Sequence, residues 1–245
     1  MKVQMLVAGT AIALGVRLAR SRRRRSLHPA GRSFAGDLEI WGGDPPIGFA
    51  LADHRGRYPV TVRMSKGMGT RGSRPDVLGF ALRIPAEGGD TDILLSTTGH
   101  GRLSRHLPMP RRTFDTWYGS IAAYRTGDRR KVYLGARPEP GGAPLGRTLT
   151  AVADAARSNT HLLLYAGSSA TRSFGGVSFG GVSFGRVSFG RALPPPVDAA
   201  LAFDPVRNAP AGLHPTGILY GARAITYRLS QRWRGATPVA AAPRT

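Results

Sequence analysis

The strongest constraint on this chain is the recurrence of short apolar or alternating runs: "AGDLEIWG" (35–42), "YPVTVRMS" (58–65), "VLGFALRI" (77–84), "TDILLST" (91–97), "RKVYLGAR" (130–137) and "THLLLYAG" (160–167). Each is too short for a buried helix and is bounded by Gly, Pro or Asp, so each reads as a β-strand. Many short strands in one chain satisfy their edges by pairing into an antiparallel sheet or closing into a barrel. A length of 245 residues suits one large domain of this kind. Helical spacing is expected near Thr113 to Tyr124, over Leu145 to Ser158 as a crossover, and from Gly217 to Trp233. The expected class is therefore mainly β with helices (α+β).

The chain has no cysteine, which excludes disulfides, thiolate metal sites and cysteine nucleophiles. A formal charge of +21 points toward nucleic acid or an anionic membrane. Lysine stands only at Lys2, Lys66 and Lys131 among 35 basic residues, however, and the arginines are scattered along the chain. That skew, with abundant Gly, Ala and Pro, is the signature of GC-rich coding sequence and argues against nucleic acid as the partner. Val3 to Val16 is apolar but too short for a span of about 20 residues, and its arginine block follows it instead of preceding it as in a secretory signal. Cytoplasmic placement is expected, with residues 1–24 an arm whose arginines suit an anionic membrane surface.

Residues 172–191, "RSFGGVSFGGVSFGRVSFGR", repeat every five residues. That period suits neither a helix face nor one face of a strand, so the segment reads as a low-complexity insert in a loop or hairpin. Stacking of its Phe and Arg side chains on single-stranded nucleic acid is the functional alternative.

Three motifs mislead. "GMGTRG" (67–72) has the glycine spacing of a dinucleotide-binding loop, but Pro75 and Asp76 follow where a helix would have to open. "GVSFG" occurs in tandem at 176–180 and 181–185, and tandem copies around Ser178 and Ser183 cannot all form a strained nucleophile elbow. His54, His100 and His106 lack the clustered carboxylates of a hydrolytic metal site.

The stretch "RSLHPAGRSFAGDLEI" (25–40) carries more chemistry. Arg25 precedes His28 by three residues, Gly31 and Gly36 follow it by three and eight, and a strand comes next. "VRMSKGMGTRGSRPDVLGFALRI" (62–84), "DTDILLSTT" (90–98) and "LAFDPVRNAPAGLHPTGILYGARAITYRLSQRWRG" (201–235) follow in order. Together these segments resemble the core of haem catalases, from the distal histidine through the serine strand to the proximal helix.

The resemblance implies a catalase-like antiparallel β-barrel with a C-terminal proximal helix, spanning 25–235 between the arm and a disordered tail at 236–245. It implies haem b as cofactor and hydrogen peroxide or an organic hydroperoxide as substrate, hence a haem-dependent peroxidase or catalase. His28 is expected as the base, and Ser65, which shares a strand face with Arg63, as the residue orienting it. Arg25, Arg63 and Arg234 suit the haem propionates. Tyr227 is the expected iron ligand, with Arg223 four residues before it on one helix face favouring the phenolate. Two departures stand out: Leu95, Ser96, Thr97 and Thr98 replace the run holding the family's distal asparagine, and Leu229 replaces an aspartate. Weak true catalase activity is therefore expected, with peroxide positioned by Ser96, Thr97 or water. The contrasting reading is a barrel without haem that binds an apolar small molecule or serves as a scaffold at a membrane surface.

Overall fold

The computed structural model describes residues 28–216 except 87, 102, 159, 174 and 175, with the backbone alone for 168–173 and 176–180. The strands are β1 (Ala30–Ile40), β2 (Gly56–Lys66), β3 (Leu78–Ile84), β4 (Thr91–Thr97), β5 (Tyr118–Gly119), β6 (Tyr124–Arg125), β7 (Lys131–Pro138), β8 (His161–Ser173), β9 (Gly176–Ala192) and β10 (His214–Pro215). Antiparallel pairing runs β1-β2-β3-β4-β5-β7-β8-β9 and returns from β9 to β1, closing an eight-stranded barrel; β6 and β10 extend it beside β7. Closure gives each of the eight wall strands a strand neighbour on both sides.

The interior follows from period-2 alternation. Phe34, Leu38 and Ile40 on β1, Val60, Val62 and Met64 on β2, Leu78, Phe80, Leu82 and Ile84 on β3, and Ile93 and Leu95 on β4 are all buried in one apolar core. Phe34 meets Phe189 edge-on with ring centroids 5.5 Å apart, a favoured aromatic geometry. Between β7 and β8, α2 (Leu149–Ala156) buries Val152, Ala153, Ala155 and Ala156. The Thr148 hydroxyl caps it, accepting the Ala151 N–H at 3.0 Å. Two shorter helices, α1 (Ala50–Asp53) and α3 (Pro195–Ala200), lie between β1 and β2 and after β9.

Two expectations change. Thr113 to Tyr124 is not helical: Phe114 and Tyr118 are buried, the Tyr118 hydroxyl donates to the Phe114 carbonyl at 2.9 Å, and Tyr118 opens β5. The spacing of aromatics that suits a helix face here serves a turn entering a strand. The SFG repeat does lie in a hairpin, as one of its two expected settings, but from Gly176 onward it is β9, paired with β8 and β1 as part of the barrel wall and not an insert. Its five-residue period fits because the ladder slips by one residue of β9 between Leu164↔Gly185 and Tyr165↔Ser183. That bulge resets the alternation, so Phe184 and Phe189 are both buried in the core. Ser183 thus lies within a strand and not at a strand-to-helix elbow.

Candidate functional site

The site is built on the outside of the barrel. Residues that alternate with the core on β2 point outward, which places Arg63 and Ser65 on one face, as their two-residue spacing requires. In register, Gly31 faces Ser65, Ser65 faces Gly79, Gly79 faces Ser96, Ser96 faces Gly119, and Gly119 faces Gly135. Six adjacent strands therefore contribute one row made only of glycine and serine. At ~4.8 Å between strands, the row crosses roughly 24 Å of wall.

His28 folds over this row. Its Nδ1 lies 2.9 Å from Ser65 Oγ. A Cβ on Gly79 would stand only 2.5 Å from the imidazole Cε1 and 2.6 Å from Nδ1, so the ring occupies the space that glycine leaves. The backbone at His28 is left-handed, with φ 55°, a conformation that histidine adopts more readily than most residues. The His28 N–H donates to the Gly67 carbonyl at 3.0 Å, and its carbonyl accepts from Arg63 Nη2 at 3.4 Å. Backbone and ring are thus fixed independently.

The Ser65 hydroxyl has one proton and two acceptors in reach, His28 Nδ1 and, at 3.4 Å, the Gly79 carbonyl. When the proton goes to Gly79, Oγ accepts the Nδ1–H and the basic lone pair of the ring is on Nε2. That arrangement is the one a base at Nε2 needs.

Arg63 is 4 % exposed. Its Nε lies 3.2 Å from the Asp198 carboxylate on α3, which also accepts from the Ser33 hydroxyl. Its guanidinium lies against Gly31, filling the volume of a Cβ there. Arg63 therefore already holds a carboxylate, through the planar donor geometry that suits this group.

At the far end of the row Trp117 is buried, its indole occupying the place of a Cβ on Gly135. Tyr165 and His100 lie beside it, at centroid distances of 5.9 and 5.7 Å, and Arg137 stacks on Tyr165. Burial, then the charge of Arg111, pushes the His100 pKa down. Among the described residues, no three His, Asp or Glu side chains gather into a metal-binding group.

A contact not foreseen from the sequence fixes the chain that leads toward residue 217. Arg83 Nε and Nη2 donate to the two oxygens of Asp92 at 2.8 and 2.7 Å, and Nη2 also donates to the Ala202 carbonyl at 2.7 Å. Asp92, 0 % exposed, accepts further from the Asp204 N–H and the Asn208 amide. Burial works to lower the Arg83 pKa, but the hydrogen bond and charge of Asp92, with Asp90, raise it overall. Arg83 and Asp92 face each other across a hairpin of two strands already evident in the sequence, and that pairing was the available signal.

The misleading motifs are accounted for. The loop 67–76 folds around its own charges: Lys66 Nζ donates to the carbonyls of Gly72 and Arg74 at 2.6 and 3.0 Å, and Asp76 accepts the N–H groups of Met68 and Thr70, each at 2.8 Å. Burial lowers the Lys66 pKa, against the charge of Asp76. Asp53 accepts the N–H groups of Ile47 and Gly48, and His106 Nδ1 donates to the Ile121 carbonyl at 2.6 Å. Arg25, Arg223, Tyr227 and Arg234 lie outside the described residues.

The eight-stranded barrel with helices against its wall is the architecture of catalases. A bacterial catalase matches with a TM-score of 0.62 over 86 % of this chain at 16 % identity, and a fungal catalase with 0.66 over 87 % at 15 %. The chain spans 57 and 60 % of the lengths of those two proteins. No protein-family model matches the chain, and no curated protein sequence does. The fold is catalase-like. No described helix is long and apolar enough to cross a membrane.

Proposed function

We propose that the protein binds haem against the outer wall of its barrel and acts as a catalase-related peroxidase on hydrogen peroxide or an organic hydroperoxide. The observation that carries this reading is the Ser65–His28 pair, its imidazole seated in the space that Gly79 leaves, in a catalase-like barrel. The residues present fit the group in their donor chemistry: an imidazole held by Ser65 stands over Gly79, and Arg63 carries the planar donors that suit a carboxylate, as its contact with Asp198 shows. Haem, when bound, supplies the iron at which a peroxide is reduced.

The chain's own residues supply the rest. His28 Nε2 takes the proton of the incoming hydroperoxide and returns it to the departing oxygen, and Ser65 holds the tautomer that makes this possible. Arg63 is proposed, with Arg25 and Arg234, to anchor the propionates, and Tyr227 to ligate the metal with Arg223 favouring its phenolate.

Two substitutions test this. In haem-loaded protein His28→Ala is expected to lower peroxidase turnover about 10²- to 10⁴-fold with haem content unchanged; equal turnover would remove His28 from the role of base. Tyr227→Phe is expected to abolish the ferric high-spin spectrum or haem retention. An unaltered spectrum would move the ligand elsewhere, with Tyr220 next in line.

A further inference from the structure

We propose that Asp198 competes with a ligand's carboxylate for the Arg63 guanidinium, so that α3 leaves the barrel wall when a propionate binds there. The assignment rests on the haem reading above and deepens it by naming the chain's own ligand at that site.

A guanidinium sunk among wall strands needs an anion, since a buried charge without one is costly. Arg63 is 4 % exposed, and its Nε donates to Asp198 Oδ1 at 3.2 Å. Ser33, which faces Arg63 across the β1–β2 ladder and is itself 1 % exposed, donates its hydroxyl to the same oxygen. One carboxylate oxygen thus lies between a cation and a hydroxyl, both supplied by buried side chains of the wall. Hydrogen bonds to an ionised acceptor are about twice as strong as neutral ones. The wall therefore carries a built carboxylate site, and an aspartate of this chain sits in it.

The segment that brings the aspartate is poised to move. α3 buries none of its residues, and Val197 on it is 46 % exposed. Burial of apolar area therefore adds little to its docking. It is tethered at both ends: the Leu193 N–H donates to the Ser33 carbonyl at 2.7 Å, and the Ala202 carbonyl accepts from Arg83 at 2.7 Å. Between those anchors, residues 194–201 can part from the wall while β9 stays paired through Ala192.

An entering carboxylate meets a resident one. Carboxylates take two adjacent donors of a guanidinium; here Nε is held by Asp198 and Nη2 reaches the His28 carbonyl at 3.4 Å. Two carboxylates at one guanidinium repel each other, and a tethered one acts at a high effective concentration. Exchange of one for the other keeps the buried charge paired. The ligand's apparent affinity is then set by the fraction of molecules in which α3 is away from the wall.

The test titrates haem into the full chain and follows the Soret band. Asp198→Asn keeps the volume of the side chain and removes its charge, and is expected to lower the haem Kd about 3- to 30-fold. Ser33→Ala, which removes the second donor on Asp198, is expected to lower it about 2- to 5-fold. With haem dimethyl ester, whose propionates carry no charge, Asp198→Asn is expected to leave the Kd within about twofold of the unsubstituted protein. Hydrogen exchange at the Asp198 and Leu201 amides, which donate to the Pro194 and Val197 carbonyls, is expected to speed up on haem binding. An equal or higher haem Kd in both folded variants, an equal gain with the dimethyl ester, or unchanged exchange at those amides would overturn the assignment alone. Absence of a Soret band in the unsubstituted protein and in both variants would overturn the proposed function and the assignment with it.

Discussion

The two faces of the same strands differ more than any other two regions of the molecule. Met64, Phe80, Leu95, Tyr118 and Leu134 are buried inside the barrel, and their immediate neighbours Ser65, Gly79, Ser96, Gly119 and Gly135 line its outer wall. Each strand thus places a large side chain inward and almost nothing outward. The interior maximises burial of apolar area, which stabilises at about 25 cal/mol per Å². The outer wall holds instead a histidine, the hydroxyls of Ser65, Ser96 and Thr98, and an indole beside glycines. Stability and the candidate chemistry have been assigned to opposite sides of one sheet, separated by single residue steps.

That division can be broken from either side. The largest expected effect is on the inside: Phe80→Ala removes a ring from a closed, fully buried core and should destabilise the fold by about 3–5 kcal/mol in chemical denaturation. A loss below about 1 kcal/mol would show that the interior is not packed as described. Of similar size is Asp92→Ala, which leaves Arg83 without the carboxylate it meets in bidentate fashion; breaking a buried pair of this kind costs about 3–5 kcal/mol. Proteolysis within 201–208 should rise with it, since Ala202, Asp204 and Asn208 are tied to the same two side chains.

On the outside the balance should invert. Gly79→Ala sets a Cβ against the His28 ring and is expected to cost about 1–3 kcal/mol as overpacking while displacing the imidazole. Peroxidase turnover should then fall nearly as far as in His28→Ala, although no proposed catalytic residue has changed. Full turnover in a folded Gly79→Ala variant would show that the wall tolerates bulk beneath the histidine.

The smallest expected effect concerns pH. Burial, followed by the charge of Arg186, lowers the His161 pKa below its ordinary 6.5, and burial with Arg111 does the same for His100. The unfolded chain therefore binds more protons than the folded one in this range, and stability is fully present above pH 6.5 and declines as pH falls below it. Denaturation midpoints should drop between pH 7.5 and 5.5, and His161→Gln should flatten that slope. An equally steep slope in the variant would place the linkage elsewhere.

The strands were legible because the core writes a period of two into the sequence, and β2, expected over 58–65, forms over Gly56–Lys66. The Ser65–His28 proximity was legible only through the resemblance to catalases: His28 precedes β1 with a left-handed backbone, where strand alternation does not place its ring. The row of small residues was not legible: glycine and serine carry no hydrophobic signal, and only the register of six strands aligns them. Phe184 and Phe189 were misread because a bulge, which composition does not mark, changes the parity between them. Phe114, Trp117 and Tyr118 were misread because helical spacing and a turn into a short strand look alike over so few residues.

The central claim is that the outer wall, and not the interior, receives a flat cofactor. Haem titrated into the purified full chain and followed at the Soret band tests it most directly, alongside a Ser96→Phe variant whose fold is verified by its thermal melt. The account predicts a saturable Soret band at one haem per chain in the unsubstituted protein and its loss in the variant, where a ring covers the middle of the row. Equal haem binding by both proteins, or no Soret band in either, would contradict it.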